Sequence, residues 1–170
     1  MKLPGAAAIL FASLIAALLK LRENRDRIRA YYDLQRSLLI LRRELSERMT
    51  PLPVVLARLC EGAREGAACG FFRDLTAGME RLGEQSFSAL WRGAAEERLS
   101  FLETENRERF ALLGELLGGS ELESQCRALA DTAEELGKRA EELKRCEKEK
   151  QKTILGITLS FGAFIIILLM

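Results

Sequence analysis

Histidine is absent from this chain of 170 residues, which removes the commonest general base and the commonest zinc ligand in proteins. The four cysteines lie far apart, and none forms a C-x-x-C pair. This spacing argues against a zinc or redox site and favours reduced thiols that pack as small apolar groups. A phosphate-binding loop and a nucleophile elbow are also missing. The sequence therefore predicts a protein that is not an enzyme and that holds neither a cofactor nor a metal.

Charge and composition narrow the class of protein further. The formal net charge is only +1, so there is no overall bias toward nucleic acid or an acidic substrate. The basic residues are interleaved with acidic ones and lack aromatic platforms, so we expect no nucleic-acid partner. β-Branched residues are scarce outside the last apolar segment, and no stretch shows strand alternation. These features predict an all-α protein.

Two apolar segments, at residues 3–19 and 154–170, predict membrane helices near the two ends of the sequence. The first segment is short for a membrane span, so a cleaved signal peptide is the alternative. A basic run follows it at once and no clean A-x-A site precedes that run, which favours retention. We therefore predict transmembrane helices at 1–20 and 153–170.

Basic residues flank both apolar segments on the side of the middle region. They extend from Lys20 to Arg29 after the first segment and from Lys144 to Lys152 before the second. The positive-inside rule then puts residues 21–152 in the cytoplasm and both termini outside. Solvated faces of charged helices are the alternative explanation of these charges. The sequence thus predicts a cytoplasmic domain held at the cell membrane.

Within this middle domain, apolar residues recur at spacings of three and four, which predicts about six helices in an antiparallel bundle. The predicted buried faces are Ile28, Tyr31, Leu34, Leu38, Leu41 and Leu45 in the first long helix; Leu52, Val55, Leu56, Leu59, Cys60 and Ala63 in the second helix; Phe72, Leu75, Met79 and Leu82 in the third; and Cys126, Leu129, Ala133, Leu136, Ala140 and Leu143 in the last.

Three hydroxyl residues are predicted to cap helices. Thr50 precedes a proline that suits the first position of a helix, and Thr104 precedes a charged helical segment. Ser120 has a glutamate three residues later, which is the spacing of a capping box. The helix that starts there is predicted to run unbroken past Gln151 into the second apolar segment.

The surroundings of this last helix are also predicted. Its apolar stripe should close against the faces of residues 50–63 and 110–117. Because the lipid segment extends the same helix directly, we expect the domain to lie hard against the bilayer.

Two glutamates lie at the border of an apolar face, each just before a turn. They are Glu44, near the end of the first long helix, and Glu115, in the motif LGELLGG. One interpretation is a salt bridge at the rim of the fold with Arg42, Arg43 or Arg109. The other is a docking contact for a basic partner.

Four stretches of the sequence, in their order and spacing, resemble the stage III sporulation protein AB family. They are an N-terminal KLPGA, RRELSERMTPLPVVL at 42–56, ALLGELLGGSELESQ at 111–125, and the closing KTILGITLSFGAFIIILLM. The middle region is also similar to the cytoplasmic domain of type II secretion F platform proteins. A full member of that second family has two such domains and more spans, whereas this chain has one domain.

The first resemblance implies a part of the channel between mother cell and forespore in endospore-forming bacteria. It implies a non-enzymatic platform in the mother-cell membrane that receives a cytosolic secretion-type ATPase, stage III sporulation protein AA. Glu44 and Glu115 match acidic positions of the shared motifs, which favours the docking interpretation. Other stage III channel proteins, membrane lipid and a second copy of the chain are further partners. A membrane-tethered helical adaptor or envelope scaffold unrelated to secretion is the alternative function.

Overall fold

Six α-helices and one 3₁₀ turn make up the part of the chain that the computed structural model describes, residues 3–62 and 65–169. Side chains are described for residue 15 and for residues 19–62 and 65–151. The elements are α1 (Leu3–Arg48), α2 (Leu52–Gly62), α3 (Ala67–Gly78), the 3₁₀ turn (Met79–Arg81), α4 (Phe87–Arg98), α5 (Thr104–Gly119) and α6 (Leu122–Leu169). The all-α class and the six helices of the sequence prediction are confirmed.

The two long helices, α1 and α6, run antiparallel along each other. Arg25 Nε lies 3.4 Å from Glu147 Oε1, and further along the pair Gln35 lies against Gly137. A Cβ added to Gly137 would lie 2.8 Å from Gln35 Cδ, so the glycine lets the two helices approach closely there. The group of four short helices packs against this pair, through α2 and α3 on α1 and through α5 on α6.

Neither long helix is broken where a predicted membrane segment begins. α1 is continuous over its 46 residues and α6 over its 48, so the prediction of an unbroken helix past Gln151 is confirmed. Within the part of the chain that the structure describes, no helix is long and apolar enough to cross a membrane. The side chains of the predicted spans at 1–20 and 153–170 lie outside the described residues, except for residues 15, 19 and 20.

The four short helices pack in sequence, α2 on α3, α3 on α4 and α4 on α5, and α5 then packs on α6. The centre of their core is aromatic. Phe71, which lies outside the predicted face of its helix, meets Phe72, Trp91 and Phe110 edge to face, with ring centroids 4.9, 4.9 and 5.1 Å away. Trp91 also donates a hydrogen bond of 2.7 Å from Nε1 to the carbonyl of Phe110. All four side chains are completely buried.

The predicted apolar faces of α1, α2 and α6 do form the core. Each of their residues that the structure describes is buried or half-buried, whereas Ala63 lies outside the described residues. In the third predicted face Leu82 is an exception, because it follows the 3₁₀ turn and is 44% exposed. The helical periodicity therefore located the core on α1, α2 and α6, and it missed Phe71 on α3.

None of the three predicted caps takes its expected position, and two of them concern α5 and α6. Glu103 takes the N-cap position of α5, and Thr104 is the first residue of the helix. Ser120 is the C-cap of α5, and α6 begins two residues later at Leu122. The Gln125 side chain reaches back and donates a hydrogen bond of 2.8 Å to the Ser120 carbonyl. A polar side chain in the first turn of α6 thus satisfies the end of α5, where a capping box was expected.

The predicted surroundings of α6 are half right. The contact with α5 is confirmed, but the predicted closure over residues 50–63 is wrong, because α2 packs mainly on α3 and also on α1. The physical reason is that α1 and α6 bury their apolar stripes chiefly against each other.

Candidate partner-docking site

Glu44 is a carboxylate buried near the C-terminal end of α1, where it is only 5% exposed. It lies three residues after Leu41, which is fully buried, so the helical period turns its side chain toward the interior. A carboxylate in this position is costly unless hydrogen-bond donors compensate for the lost water.

Three side chains supply those donors. Arg48 Nη1 donates to Glu44 Oε1 at 2.8 Å, Thr50 Oγ1 donates to Oε2 at 3.1 Å, and Arg58 Nη1 donates to Oε2 at 3.4 Å. The predicted partners Arg42 and Arg43 are both exposed and take no part in this network. The glutamate therefore joins α1, the turn and α2.

The α1–α2 turn brings these donors together. Met49 adopts a left-handed backbone conformation with φ 48°, which costs a non-glycine residue about 1–2 kcal/mol. The amide of Thr50 then donates to the Glu44 carbonyl at 3.1 Å. The α2 helix follows Pro51, whose carbonyl accepts hydrogen bonds from two amides of the first helical turn. Thr50 is thus a ligand of Glu44 and does not take the predicted cap position, which Pro51 holds.

A groove of about 360 Å³ opens beside this network, between α1, α2 and α3. Its lining combines apolar side chains with two arginines and two carboxylates. The lining residues are Asp33, Arg36, Ser37, Ile40, Glu44, Val55, Arg58, Leu59, Gly62 and Ala68. A groove of this character can accept an apolar side chain together with a charged group.

Glu115 lies on α5 and is exposed. Its carboxylate accepts a hydrogen bond of 2.8 Å from Arg92 of α4, and the two side chains are 55% and 43% exposed. The predicted partner Arg109 pairs with Glu105 instead. Glu44 and Glu115 are bound by different helices and share no ion-pair partner among the described residues, so the structure does not join them into one site.

A second ionic cluster, which the sequence did not reveal, fixes the corner between α4 and α5. Glu103 accepts a hydrogen bond from Arg139 of α6 and lies 3.7 Å from Arg27 of α1. The hydrogen bonds to Glu103 and then to Glu142 raise the pKa of Arg139. Helical periodicity could not find this cluster, because its members come from three distant parts of the chain.

A tyrosine–glutamate pair links the two long helices. The Tyr32 hydroxyl donates a hydrogen bond to Glu141, and Lys144 Nζ lies 5.7 Å from the centroid of the Tyr32 ring. The hydrogen bond from Tyr32, followed by the charge of Lys144, lowers the pKa of Glu141. The same hydrogen bond, followed by burial, raises the pKa of Tyr32.

The cysteines and carboxylates are the side chains that could bind a metal ion or act as nucleophiles. Among the described residues, no group of three or more cysteine, aspartate or glutamate side chains could hold a metal ion. All four cysteines are free thiols. Burial, and then the nearby Cys69, raises the pKa of Cys60, which reduces its thiolate fraction and its reactivity.

These features define an all-α protein in which four short helices pack on an antiparallel pair of long ones, with ionic networks at its corners. The family model of stage III sporulation protein AB (spore_III_AB) matches residues 2–170. The chain therefore belongs to the stage III sporulation protein AB family, and its role lies in sporulation.

The fold is also similar to a solved structure of a stage III sporulation protein AB. The TM-score is 0.64 at 17% sequence identity, and the match covers 73% of this chain and 98% of that chain. At this identity the likeness supports the fold alone. No curated protein matches the sequence.

Proposed function

We propose that the protein is a non-enzymatic platform in the mother-cell membrane around the forespore. In this proposal it forms part of the sporulation channel and docks a cytosolic secretion-type ATPase, stage III sporulation protein AA. Transmembrane helices at 1–20 and 153–170 hold the domain of residues 21–152 on the cytoplasmic side. Membership of the family supports the role in sporulation. The membrane, the channel and the ATPase belong to the proposal.

The observation that carries the membrane part is the register of α1 and α6. The contacts of Arg25 with Glu147 and of Gln35 with Gly137 imply that Lys20 lies level with Lys152. Both helices therefore leave the bundle at the same end, and both continue from there as the apolar sequences already noted. A platform needs this geometry, because two helices that leave the domain at the same end restrict its movement more than one flexible tether does.

The docking part of the proposal assigns partner contacts to Glu44 and Glu115. Glu115 is exposed and has one arginine partner, so a basic group of the ATPase can compete with Arg92 for its carboxylate. Glu44 lies in the wall of the groove, where an entering basic side chain meets a carboxylate that Arg48 and Arg58 already hold in place.

The test is binding of the purified ATPase to the full chain in detergent micelles at low salt. We expect Glu115→Lys to weaken binding, because it replaces the attraction of a basic partner by repulsion. The control is Glu80→Lys, the same charge reversal at an exposed glutamate that forms no ion pair in the described part of the chain. Arg92→Gln separates direct contact from local structure, since it removes the same salt bridge and leaves Glu115 free.

Three outcomes would contradict the docking proposal. The first is no binding of the ATPase to the wild-type chain. The second is an equal loss of binding in Glu115→Lys and Glu80→Lys, which would reflect net charge alone. The third is a loss in Arg92→Gln as large as that in Glu115→Lys, which would make the salt bridge structural. Membrane association with no ATPase binding would favour the adaptor or scaffold function.

A further inference from the structure

Three turns of the long helices next to the apolar sequences carry cations on one side of the pair. We call this surface the basic face and define it by Arg22, Arg25 and Arg29 of α1 with Lys144, Arg145 and Lys148 of α6. On α1 these positions are spaced by three and four, so they share one side of the helix. All six side chains are exposed.

Tyr32 shows that the two halves of the basic face lie on the same side. It follows Arg29 by three residues and Arg25 by seven, so it continues the basic stripe of α1. Its ring lies 5.7 Å from Lys144 Nζ of α6. Lys148 follows Lys144 by one helical turn, so it lies on the same side of α6 as Lys144.

Half of these cations have no ion pair within the described residues: Arg22, Arg145 and Lys148. The others pair with acidic side chains, of which Glu147 is only 12% exposed. Arg25 lies 3.4 Å from Glu147 and Lys144 lies 3.6 Å from Glu141, in pairs whose cations are 63% and 46% exposed. The exposed pair of Lys144 with Glu141 contributes little, so it yields easily to another anion, whereas the largely buried Glu147 holds Arg25 more firmly.

The basic face also lies at the level where a headgroup layer would be. With a rise of 1.5 Å per residue, Arg22 lies about 5 Å beyond the first apolar segment and Lys148 about 9 Å before the second. Both distances are close to the Debye length of about 8 Å at physiological salt. Arg29 is about 15 Å away, so it reaches a lipid surface only if the helix pair leans toward its basic side.

We propose that the basic face binds the phosphate groups of anionic phospholipids and thereby tilts the domain toward one side of its membrane exit. This inference rests on the membrane placement proposed above and adds a ligand class and a set of residues to it. Arginine and lysine suit phosphate oxygens, and each cation near an anionic surface strengthens binding about fivefold.

The test compares lipid binding by two triple variants of the full chain in nonionic detergent. Arg22→Gln/Arg145→Gln/Lys148→Gln removes the cations without ion pairs from the basic face. The matched control removes three exposed arginines, equally free of ion pairs in the described ranges, from the other end of α1. It is Arg36→Gln/Arg42→Gln/Arg43→Gln. The probes are dioctanoyl phosphatidylglycerol, dioctanoyl phosphatidylcholine and inorganic phosphate, with native mass spectrometry as the readout.

We expect the wild-type chain and the control to bind phosphatidylglycerol at least about tenfold more tightly than phosphatidylcholine. The basic-face variant should reduce this preference to within about twofold, with an unchanged helical circular-dichroism spectrum. Equal behaviour of the two triple variants overturns the proposal. So does competition by inorganic phosphate at the lipid concentration, since the site would then be one for free phosphate. Release of the wild-type chain from membranes by alkaline carbonate would contradict the proposed membrane placement. The lipid binding of the two triple variants could still be compared.

Discussion

At the scale of single residues, Glu44 is the side chain with the most structural consequence. It is only 5% exposed, and its three hydrogen-bond donors come from α1, the turn and α2, so it stabilises the α1–α2 corner. Glu44 also shapes the groove beside it, because Arg58 lines the groove and donates a hydrogen bond to Glu44. Formation of the α1–α2 corner is therefore a structural role of this carboxylate, apart from the partner contact proposed for it.

The first prediction concerns the corner itself. Glu44→Ala should destabilise the chain by about 1–3 kcal/mol, because it removes the acceptor of three hydrogen bonds; exposure of the two arginines keeps the loss below that of a fully buried pair. The measurement is thermal unfolding of the full chain in detergent. Glu47→Ala is the control, as Glu47 is exposed on the same helix and should change stability by less than about 0.5 kcal/mol. Equal effects of the two variants on the thermal unfolding would contradict the proposed role of Glu44 in stabilising the corner.

The second prediction concerns pH. The pKa of Glu141 is lowered in the folded chain, so its contribution to stability is present above the ordinary glutamate pKa of about 4.3. That contribution is lost as the pH falls through the lower folded value. In Tyr32→Phe we expect the pKa of Glu141 to rise toward its ordinary range while Lys144 still holds it slightly down, as followed by carboxyl NMR titration.

An internal reference for this titration is Glu134. Its hydrogen bond with Lys138 lowers its pKa independently of Tyr32. The pKa of Glu134 should therefore stay unchanged in Tyr32→Phe. An unchanged Glu141 would show that Lys144 alone sets its pKa.

At the scale of the helices, two glycines mark close approaches of different kinds. A Cβ on Gly114 of α5 would lie 2.6 Å from Trp91 Cβ, in a fully buried side chain that also donates to Phe110. A Cβ on Gly137 of α6 meets instead the end of the Gln35 side chain, which can turn away. The first contact is rigid and the second is adjustable.

The third prediction follows from this difference. Gly114→Ala should destabilise the fold by about 1–3 kcal/mol through overpacking against Trp91. Gly137→Ala should stay within about 1 kcal/mol of the wild type, since the gain in helix propensity offsets the displacement of Gln35. Gly93→Ala, with open space around its added Cβ, should be neutral or stabilising in the same thermal unfolding measurement. Equal destabilisation by all three would point to backbone effects unrelated to packing.

The helices also show what the sequence could predict and what it could not. The stripes through Leu34 and Leu136 were predictable, because burial along a helix repeats with the period of the helix itself. The caps at Thr104 and Ser120 were wrong by a residue or two, because a cap depends on side chains from neighbouring elements. The position of Glu44 at the border of an apolar face was predictable from the helical period. Its donor Arg58 was not, since the approach of that side chain depends on the path of the turn.

At the scale of the whole molecule, the α1–α6 pair determines how the domain meets its surroundings. Its register brings both helices out at one end, and its basic face lies just before that exit. The groove beside Glu44 lies near the opposite end of α1, away from that exit. A partner from the cytosol and a lipid surface would then reach the same domain from two directions without competing.

The fourth prediction tests this polarity through a native thiol. Cys146 is exposed on α6, within the turns nearest the exit. If residues 21–152 face the cytoplasm, a membrane-impermeant maleimide should label Cys146 in inverted vesicles and leave it unlabelled in intact cells. Cys60 should react more slowly in the vesicles, because burial raises its pKa and lowers its thiolate fraction. Cys146→Ser identifies the labelled site by mass spectrometry. Labelling of Cys146 in intact cells would show the opposite orientation, in which any ATPase would have to dock from the other side of the membrane.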